Sequence, residues 1–206
     1  FLREITEKYD SLLIIDEVIT GFRIKYGTAS QFYNIRPDLI VMGKIIGGGL
    51  PFALFGGERD IMEKISPSGN VYQAGTFSGN PLSVSAGIAT IMELEKMNYD
   101  IFKDYLHILN KYVDDARNDF NEKITLNGIG GMFQIFFNNE VKNVDEALKS
   151  DSERYFSLFN YLLEKGFYLP PSQFESLFFS FVHDRGEIDS LGRTVYEFIG
   201  THKDRK

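Results

Sequence analysis

One short stretch constrains the fold of this chain more than any other: an apolar run that delivers a lysine into a cluster of glycines, LIVMGKIIGGGLP at positions 39–51. The run is too short for a helix and ends at glycine, which predicts a buried β-strand. Lysine is rarely buried without compensation of its charge, and in dry surroundings it can lose its proton and attack carbonyl carbons. Lys44 is therefore either a nucleophile at the end of a strand or a surface lysine in a glycine-rich turn, and this stretch alone does not separate the two.

A second apolar run, SLLIID at positions 11–16, ends on the acids Asp16 and Glu17. It predicts another buried strand with carboxylates at its carboxyl end, where open α/β sheets place their ligands. Because strands in such sheets converge on one crevice, Asp16 and Lys44 are expected to share it. An acid and a lysine suit pyridoxal phosphate chemistry, in which the lysine forms a Schiff base and the acid keeps the pyridinium nitrogen protonated.

The segment LLIIDE also resembles the acidic strand of a P-loop ATPase, whose carboxylate serves Mg²⁺. That interpretation requires the partner motif G-x-x-x-x-G-K-[ST]. Here Lys44 is followed by Ile45, and the position five before Gly43 is Asp38 rather than glycine. The motif fails at both ends, which disfavours an ATPase.

A loop rich in glycine, serine and asparagine spans positions 66–81 and offers a candidate phosphate site. Gly75 and Thr76 supply backbone amides and a hydroxyl close to a helix that is predicted to begin at Pro81, after the N-cap Asn80. The amino terminus of a helix is electropositive and favours anions. Taken alone, Thr76 is more simply an ordinary loop threonine.

The composition of the 206 residues excludes several classes of function. A formal net charge of −7 argues against nucleic acid or an anionic membrane as the main partner. The absence of cysteine removes disulfides, thiolate nucleophiles and Cys-ligated metals, and it suits a reducing compartment such as the cytoplasm. The three histidines lie far apart in the sequence, so no metal site is expected.

The order of predicted elements divides the chain into residues 1–104, where strands alternate with helices, and residues 105–206, an α+β unit. A helix after Pro81 carries apolar residues at helical spacing, as do two later helices, at about 100–121 and at 152–165, the second ended by Gly166. Further predicted elements are strands at 52–57, 131–137, 167–171 and 177–182, a helix at 58–65, and a last helix from about 187 that ends in the charged tail THKDRK. The stripe predicted to be buried on helix 152–165 consists of Tyr155, Phe156, Phe159, Leu162 and Leu163. Positions 1–10 look like the end of a helix without an N-cap, which suggests that an amino-terminal portion is missing.

Three segments, LLIIDEVITGFR, PDLIVMGKIIGGGLP and VYQAGTFSGNP, resemble the signature blocks of class III aminotransferases. VYQAGTFSGNPLSVSAG, ALKSDSERYF and YLPPSQFES are similar, in the same order, to blocks of the glutamate-1-semialdehyde aminomutases within that family. The resemblance runs from about residue 10 to residue 199. It implies the α/β type I fold of pyridoxal phosphate-dependent transferases: part of a large, mostly parallel sheet domain over 1–104, a small carboxyl-terminal α+β domain over 105–206, and a missing amino-terminal part.

The resemblance also implies roles for residues of the first domain. Lys44 matches the Schiff-base lysine, Asp16 the partner of the pyridinium nitrogen, and Val18 the residue that packs against a face of the cofactor ring. Gly75 and Thr76 match a phosphate ligand that reaches the cofactor of the neighbouring subunit. The implied assembly is therefore a homodimer with its site at the interface.

In the second domain, Glu175 matches an acid that faces the active site, although without the family it would be taken for a solvated loop acid. The implied reaction is an internal amino transfer that converts glutamate 1-semialdehyde to 5-aminolevulinate, a step of tetrapyrrole biosynthesis, starting from the pyridoxamine form of the cofactor. Lys44, once free, would carry the proton as general base and acid. Two alternatives remain: another class III transaminase acting on an ω-amino acid, and a non-catalytic fragment that only folds and dimerises.

Overall fold

The computed structural model describes residues 1–202, which group into a first unit, Phe1–Met97, and a second unit that begins at Asn98. The sequence alone places a boundary between residues 104 and 105. That position lies inside the helix α5 (Ile101–Phe120), whose buried stripe belongs to the core of the second unit. No helix within residues 1–202 is long and apolar enough to cross a membrane.

The first unit contains a three-stranded sheet formed by β1 (Ile14–Asp16), β2 (Leu39–Met42) and β3 (Leu54–Gly57), which lie side by side in chain order. β1 and β2 are parallel, whereas β3 is antiparallel to β2. The prediction of a strand in each of these three apolar runs is confirmed. Because β1 and β2 run in the same direction, their carboxyl ends lie at the same edge of the sheet.

β1 is not the buried strand that its sequence predicts. Leu13 is buried, but Leu12 and Ile14 are 55% and 57% exposed. β1 lies at an edge of the sheet, and residues two apart in a strand share one face, so the face that carries these two side chains is open to solvent. An apolar run identifies a strand, but it does not show which elements cover the strand.

Short helical segments flank the strands of the first unit. They are α1 (Leu2–Lys8), α2 (Ala29–Phe32), a 3-10 turn (Lys44–Gly47), α3 (Arg59–Met62) and α4 (Pro81–Glu95). The predicted start of α4 is confirmed, because Asn80 Oδ1 accepts hydrogen bonds from the amides of Leu82 and Ser83 at 3.1 and 3.2 Å. The predicted helix at 58–65 is shorter than expected and ends at Met62.

The helix α4 turns small residues, rather than its apolar stripe, toward the 3-10 turn. Ser83 and Gly87 are buried, whereas Ile88 and Met92 are exposed. A Cβ atom built on Gly87 would lie 2.9 Å from the carbonyl oxygen of Ile46. The helix therefore lies against the glycine-rich turn at a distance that a larger residue would not allow, and apolar spacing alone does not identify its buried face.

The second unit packs helices on an antiparallel sheet of β4 (Thr125–Ile129), β5 (Met132–Phe136) and β6 (Leu177–Phe178). Its helices are α5 (Ile101–Phe120), α6 (Val144–Leu148), α7 (Ser152–Glu164) and α8 (Arg185–Thr201). α5 and α7 confirm their predicted positions, and Gly166 (φ +90°) ends α7 as expected. One continuous apolar core joins these elements, and each of α5, β5, α7 and α8 contributes to it.

Several predictions for the second unit are wrong. Positions 167–171 do not form a strand, because Pro170 and Pro171 have no amide hydrogen to donate to a sheet. Of the predicted strand 177–182 only Leu177–Phe178 pairs, and the polar connection before α7 contains the short helix α6.

The helical stripe of α7 is also rotated from the one predicted. Tyr155, Leu158 and Leu162 are buried, whereas Phe156 and Leu163 are exposed. At the carboxyl end, Asp184 caps α8 reciprocally with Glu187, so this helix begins at Arg185. The last four residues of the predicted charged tail, 203–206, lie outside the described residues.

Candidate active site

The ends of β1 and β2 bring three of the predicted site residues to one edge of the first sheet. Asp16 is the last residue of β1 and lies beside Val41 in the parallel register. Lys44 follows β2 after Gly43, and a Cβ atom built on Gly43 would lie 3.5 and 3.7 Å from the two methyl carbons of Val18. An acid, an apolar side chain and an amine therefore come from two adjacent parallel strands.

The turn that carries Asp16 and Val18 is held by Glu17, which is 1% exposed. The Glu17 carboxylate accepts hydrogen bonds from the hydroxyl of Thr20 and from the first-turn amides of α2, at Ala29 (2.9 Å) and Ser30 (2.7 Å). The Glu17 amide also donates to Val41 O at 2.8 Å and so extends the β1–β2 pairing. Of the two adjacent acids, Glu17 is thus structural, and Asp16 is the one left open at the edge of the sheet.

We expect the substitution Glu17→Gln to lower the free energy of unfolding at pH 7 by about 2 kcal/mol, because an acceptor of three hydrogen bonds is replaced by an amide that presents two donors of its own. Burial raises the pKa of the Glu17 carboxyl, but the hydrogen bonds from Thr20, Ser30 and Ala29 outweigh this and hold the pKa below its usual 4.5. The ionised group therefore contributes its stabilisation above pH 4.5 and loses it as the pH falls through the lower, folded pKa.

Urea unfolding and hydrogen exchange of the Ala29 and Ser30 amides measure this effect. The difference between wild type and Glu17→Gln should close in acid below pH 4.5. Glu63→Gln, at an exposed glutamate of the same unit, is the matched control and should change little at either pH. A difference that persists unchanged at low pH would contradict the electrostatic explanation.

Asp16 is exposed and is oriented by its own turn. Its Oδ1 accepts a hydrogen bond from the Val18 amide at 2.8 Å. This bond fixes the carboxylate relative to the backbone that also carries Val18. Both side chains therefore keep one mutual arrangement at the end of β1.

Lys44 is exposed, so the expectation of dry surroundings is not met by the residues described. The reason is its place in the chain: Lys44 lies beyond the end of β2, in the 3-10 turn, rather than within the strand. Its backbone is in the left-handed region (φ +51°), which is unfavourable for a residue with a side chain. Such strain is often found at functional positions, where the surrounding structure enforces it.

The left-handed backbone of Lys44 predicts that glycine is better tolerated there than alanine. Lys44→Gly relieves the backbone strain, although glycine also adds entropy to the unfolded chain. Because the relief of strain should be the larger effect, the free energy of unfolding of Lys44→Gly should exceed that of Lys44→Ala by about 0.5–1 kcal/mol. Urea unfolding of the two variants measures the difference. At the exposed control position Lys64, whose φ is not positive, the order of the two variants should reverse.

The remaining predicted residues lie elsewhere. Gly75 and Thr76 are exposed in the loop before α4, where Gly75 O accepts a hydrogen bond from the Ser78 amide at 2.9 Å, and no hydrogen bond within residues 1–202 joins them to Lys44. Glu175 belongs to the second unit, in the loop between α7 and β6, and its side chain is exposed. Thus the structure brings Asp16, Val18 and Lys44 together, whereas Gly75 and Thr76 occupy a separate loop and Glu175 belongs to the other unit.

Sequence reasoning missed two buried groups that hold the backbone of predicted site residues: the carboxylate of Glu17 and the amide of Gln134. Gln134 is the one polar residue in the apolar run GMFQIFF, it is buried, and it bonds to the loop that carries Glu175. The sequence did contain a signal for Gln134: a single amide side chain in an otherwise apolar strand. Such a group is expected to be buried with a hydrogen-bond partner.

The residues at the edge of the first sheet fit the chemistry of pyridoxal phosphate. The cofactor requires an amine for its aldehyde, a carboxylate for its ring nitrogen and an apolar contact for its ring. Lys44, Asp16 and Val18 are these three kinds of group, and they follow adjacent strand ends, where open α/β sheets place their ligands. The donor set therefore suits the cofactor.

Comparison with known proteins identifies the family. The profile of the family described as aminotransferase class III matches residues 1–177. The chain is 51% identical over 190 residues to the glutamate-1-semialdehyde 2,1-aminomutase of Thermoplasma volcanium, covering 92% of this chain and 45% of that protein. It is 48% identical over 193 residues to the enzyme of the same name from Methanosarcina acetivorans, covering 91% of this chain and 45% of that protein.

Solved structures agree on the fold. A β-phenylalanine aminotransferase from Variovorax paradoxus superimposes with a TM-score of 0.86 at 27% identity, covering 98% of this chain and 47% of that one. A glutamate-1-semialdehyde aminomutase from Pseudomonas aeruginosa in complex with PMP gives a TM-score of 0.84 at 24% identity, covering 97% and 46%. The chain spans about half the length of the relatives that it matches. With a family profile over most of its residues and adjacent strand ends that present the family's chemistry, the chain belongs to the class III aminotransferases, with the fold of pyridoxal phosphate-dependent transferases.

Proposed function

We propose that this chain provides the lysine, the pyridinium partner and the substrate-facing acid of a glutamate-1-semialdehyde 2,1-aminomutase that uses pyridoxal phosphate and its pyridoxamine form. The observation that carries the proposal is the presence of Asp16, Val18 and Lys44 at adjacent parallel strand ends, in a chain up to 51% identical to relatives of that name. The substrate would be glutamate 1-semialdehyde and the product 5-aminolevulinate, with the natural protein acting in tetrapyrrole biosynthesis in the cytoplasm.

Each residue has a distinct role in this proposal. Lys44 Nζ would hold the cofactor through its aldehyde carbon and, once free, would move a proton to and from the substrate carbon as general base and acid. The Asp16 carboxylate would hold a proton at the ring nitrogen, and Val18 would support one face of the ring. When bound, the cofactor supplies a conjugated ring that accepts electrons from the substrate carbon.

The proposal must also account for the exposure of Lys44. Active sites exclude water because water allows side reactions of reactive groups. The residues of this chain leave Lys44 open, so the cofactor and further protein surface would have to exclude water from it. The left-handed backbone fixes the direction in which the side chain leaves the strand end.

Gly75 and Thr76 are proposed to bind the cofactor phosphate of a second subunit in a homodimer. The supporting observation is that their loop is exposed and carries two rings, Tyr72 and Phe77, that are 83% and 65% exposed. Exposed aromatic side chains are enriched at protein interfaces. The loop also directly precedes the capped amino terminus of α4, a favourable place for an anion.

The test is a direct assay of the natural protein that carries this chain. Given glutamate 1-semialdehyde and no keto-acid acceptor, it should form 5-aminolevulinate, because both amino-transfer steps take place on one substrate. Lys44→Ala is the matched negative control. Transfer of the amino group from an ω-amino acid to an added keto acid, without formation of 5-aminolevulinate, would instead favour an ω-amino acid transaminase. The 0.83 TM-score and 26% identity to the omega-transaminase of Sphaerobacter thermophilus support this alternative.

The remaining alternative, a non-catalytic fragment that only folds and dimerises, is tested on the 206-residue chain itself. Pyridoxal phosphate condenses with an amine with loss of water, and borohydride then adds two hydrogens, so the peptide that contains Lys44 should gain the mass of the cofactor less one oxygen atom. Labelling spread evenly over the exposed lysines would contradict a specific site on this chain.

A further inference from the structure

We propose that Gln134 is a positioning residue for Glu175: from β5 it fixes the backbone of the loop that presents the Glu175 carboxylate to the substrate. The inference rests on the proposed function, which gives Glu175 its role, but it concerns a residue to which that function assigns nothing. Gln134 touches no reacting atom, and it would act only through Glu175.

The contacts of the Gln134 side chain engage both its nitrogen and its oxygen. Its two Nε2 hydrogens are donated to two loop carbonyls, Gln173 O at 2.8 Å and Glu175 O. Its Oε1 accepts a hydrogen bond from the Ile135 amide at 2.8 Å. The opposite orientation of the amide would direct an oxygen at the two carbonyl oxygens, so the network determines the orientation.

Gln134 is 8% exposed and lies between Phe133 and Ile135, which are also buried. A position that served only packing would be filled at lower cost by an apolar residue, because burial of an amide is unfavourable unless its donors are used. Here both donors reach the same short loop, across 39 and 41 positions of sequence. The amide therefore ties the loop to the middle of the sheet.

Other buried groups complete the attachment of the loop. The Tyr155 hydroxyl of α7 donates to Pro170 O at 3.1 Å, and burial raises the pKa of Tyr155 to about 12. Within the loop, the Glu175 amide donates to Ser172 O at 3.1 Å and closes a tight turn. Gln173 is itself 2% exposed, with its side chain enclosed near the end of α6.

The side chain of Glu175 shows the opposite behaviour. It is exposed, and no hydrogen bond or ion pair within the described part of the chain engages its carboxylate. A fixed backbone with a free carboxylate is the arrangement that a substrate-binding acid needs, since a rigid support removes the entropic cost of ordering the group on binding. Loops without such support are usually mobile.

The experiment compares Gln134→Met with a control on the same hairpin. Asn127 is the direct cross-strand partner of Gln134, and its amide also bonds to a carbonyl, Val141 O at 2.7 Å, but not to the loop that carries Glu175. Gln134→Met should raise the exchange rate of the Glu175 amide about tenfold and lower kcat of the natural protein about tenfold. Asn127→Leu should leave both within about twofold.

A double-mutant cycle separates positioning from general destabilisation. If Gln134 acts through Glu175, then Gln134→Met should cost less than about twofold in kcat once Glu175→Gln is present. A merely structural role would cost the same in both backgrounds, and that result would overturn the proposal. So would an unchanged exchange rate of the Glu175 amide in Gln134→Met.

Gln134→Asn keeps an amide but withdraws it by one methylene, and it is the second variant should methionine at this position prevent folding. It should change the exchange rate of the Glu175 amide and kcat in the same directions as Gln134→Met, but by smaller factors. A wild-type protein with no aminomutase activity would overturn the proposed function and the role of Glu175 with it, whereas hydrogen exchange would still decide whether Gln134 fixes the loop. The two failures are therefore distinguishable.

Discussion

Replacing Lys44 with alanine is expected to lower the proposed aminomutase turnover of the natural protein by at least about 10³-fold, because the proposal makes one side chain both covalent anchor and proton carrier. The substitution removes the amine but leaves the strand end, Asp16 and Val18 unchanged. Since Lys44 is exposed, its loss should have little effect on packing. Steady-state formation of 5-aminolevulinate measures the effect.

The controls for Lys44→Ala separate chemistry from charge and from folding. Lys44→Arg keeps the positive charge but provides no nucleophile, because the guanidinium does not lose its proton in proteins, and it should be as inactive as alanine. Lys25→Ala, at another exposed lysine of the first unit, should retain full activity. The alanine variant should still bind the cofactor non-covalently. Its native mass should therefore include the cofactor, and this added mass should be lost when the protein is denatured. Turnover within about tenfold of wild type in Lys44→Ala would refute the assignment.

The placement of Asp16 and Lys44 at one sheet edge could be predicted from the sequence for a physical reason. Two apolar runs, each too short for a helix, end in polar residues, and parallel strands that leave a sheet in the same direction bring those ends together. The register confirms the parallel pairing of β1 with β2. Short apolar runs with polar ends therefore identify the strands themselves well.

Burial was predicted less well, because it depends on partners that the local sequence does not specify. Ile14 is exposed although it lies in an apolar run, and α4 buries Gly87 while Ile88 faces solvent. Because α4 lies close to a glycine-rich turn, its contact face consists of small residues. The spacing of apolar residues does not identify such a face. Similarly β4, with the sequence TLNGI, is a strand only because β5 pairs with it along its whole length.

Adjacent residues with the same charge also took different roles that only the structure reveals. Glu17 is enclosed by the amides of α2, whereas Asp16, one position earlier, stays open at the end of β1. Successive residues of an extended chain point to opposite sides, so the two acids do not share one side of the strand end. The buried acid holds the turn, and the other acid stays exposed at the end of β1.

That division of roles leads to the second large effect: Asp16→Asn should lower kcat about 10²- to 10³-fold with little change in stability. In the proposed role, the Asp16 carboxylate would stabilise a proton on the cofactor's ring nitrogen by its charge, which a neutral amide of the same shape would not do. The Val18 amide would still find an acceptor, because the side-chain carbonyl oxygen of the introduced asparagine takes the place of Asp16 Oδ1. The turn is thus preserved while the charge is removed.

Steady-state kinetics and cofactor titration across pH test this expectation. Asp16→Glu restores the charge at a slightly different distance and should recover much of the lost activity, whereas Asp60→Asn, at an exposed acid of α3, should match wild type. The loss in Asp16→Asn should be smallest at low pH, where the solvent itself keeps the ring nitrogen protonated. Equal activity of Asp16→Asn and wild type at neutral pH would show that this carboxylate does not serve the cofactor, and Glu17, held by three hydrogen bonds within the fold, could not take its place.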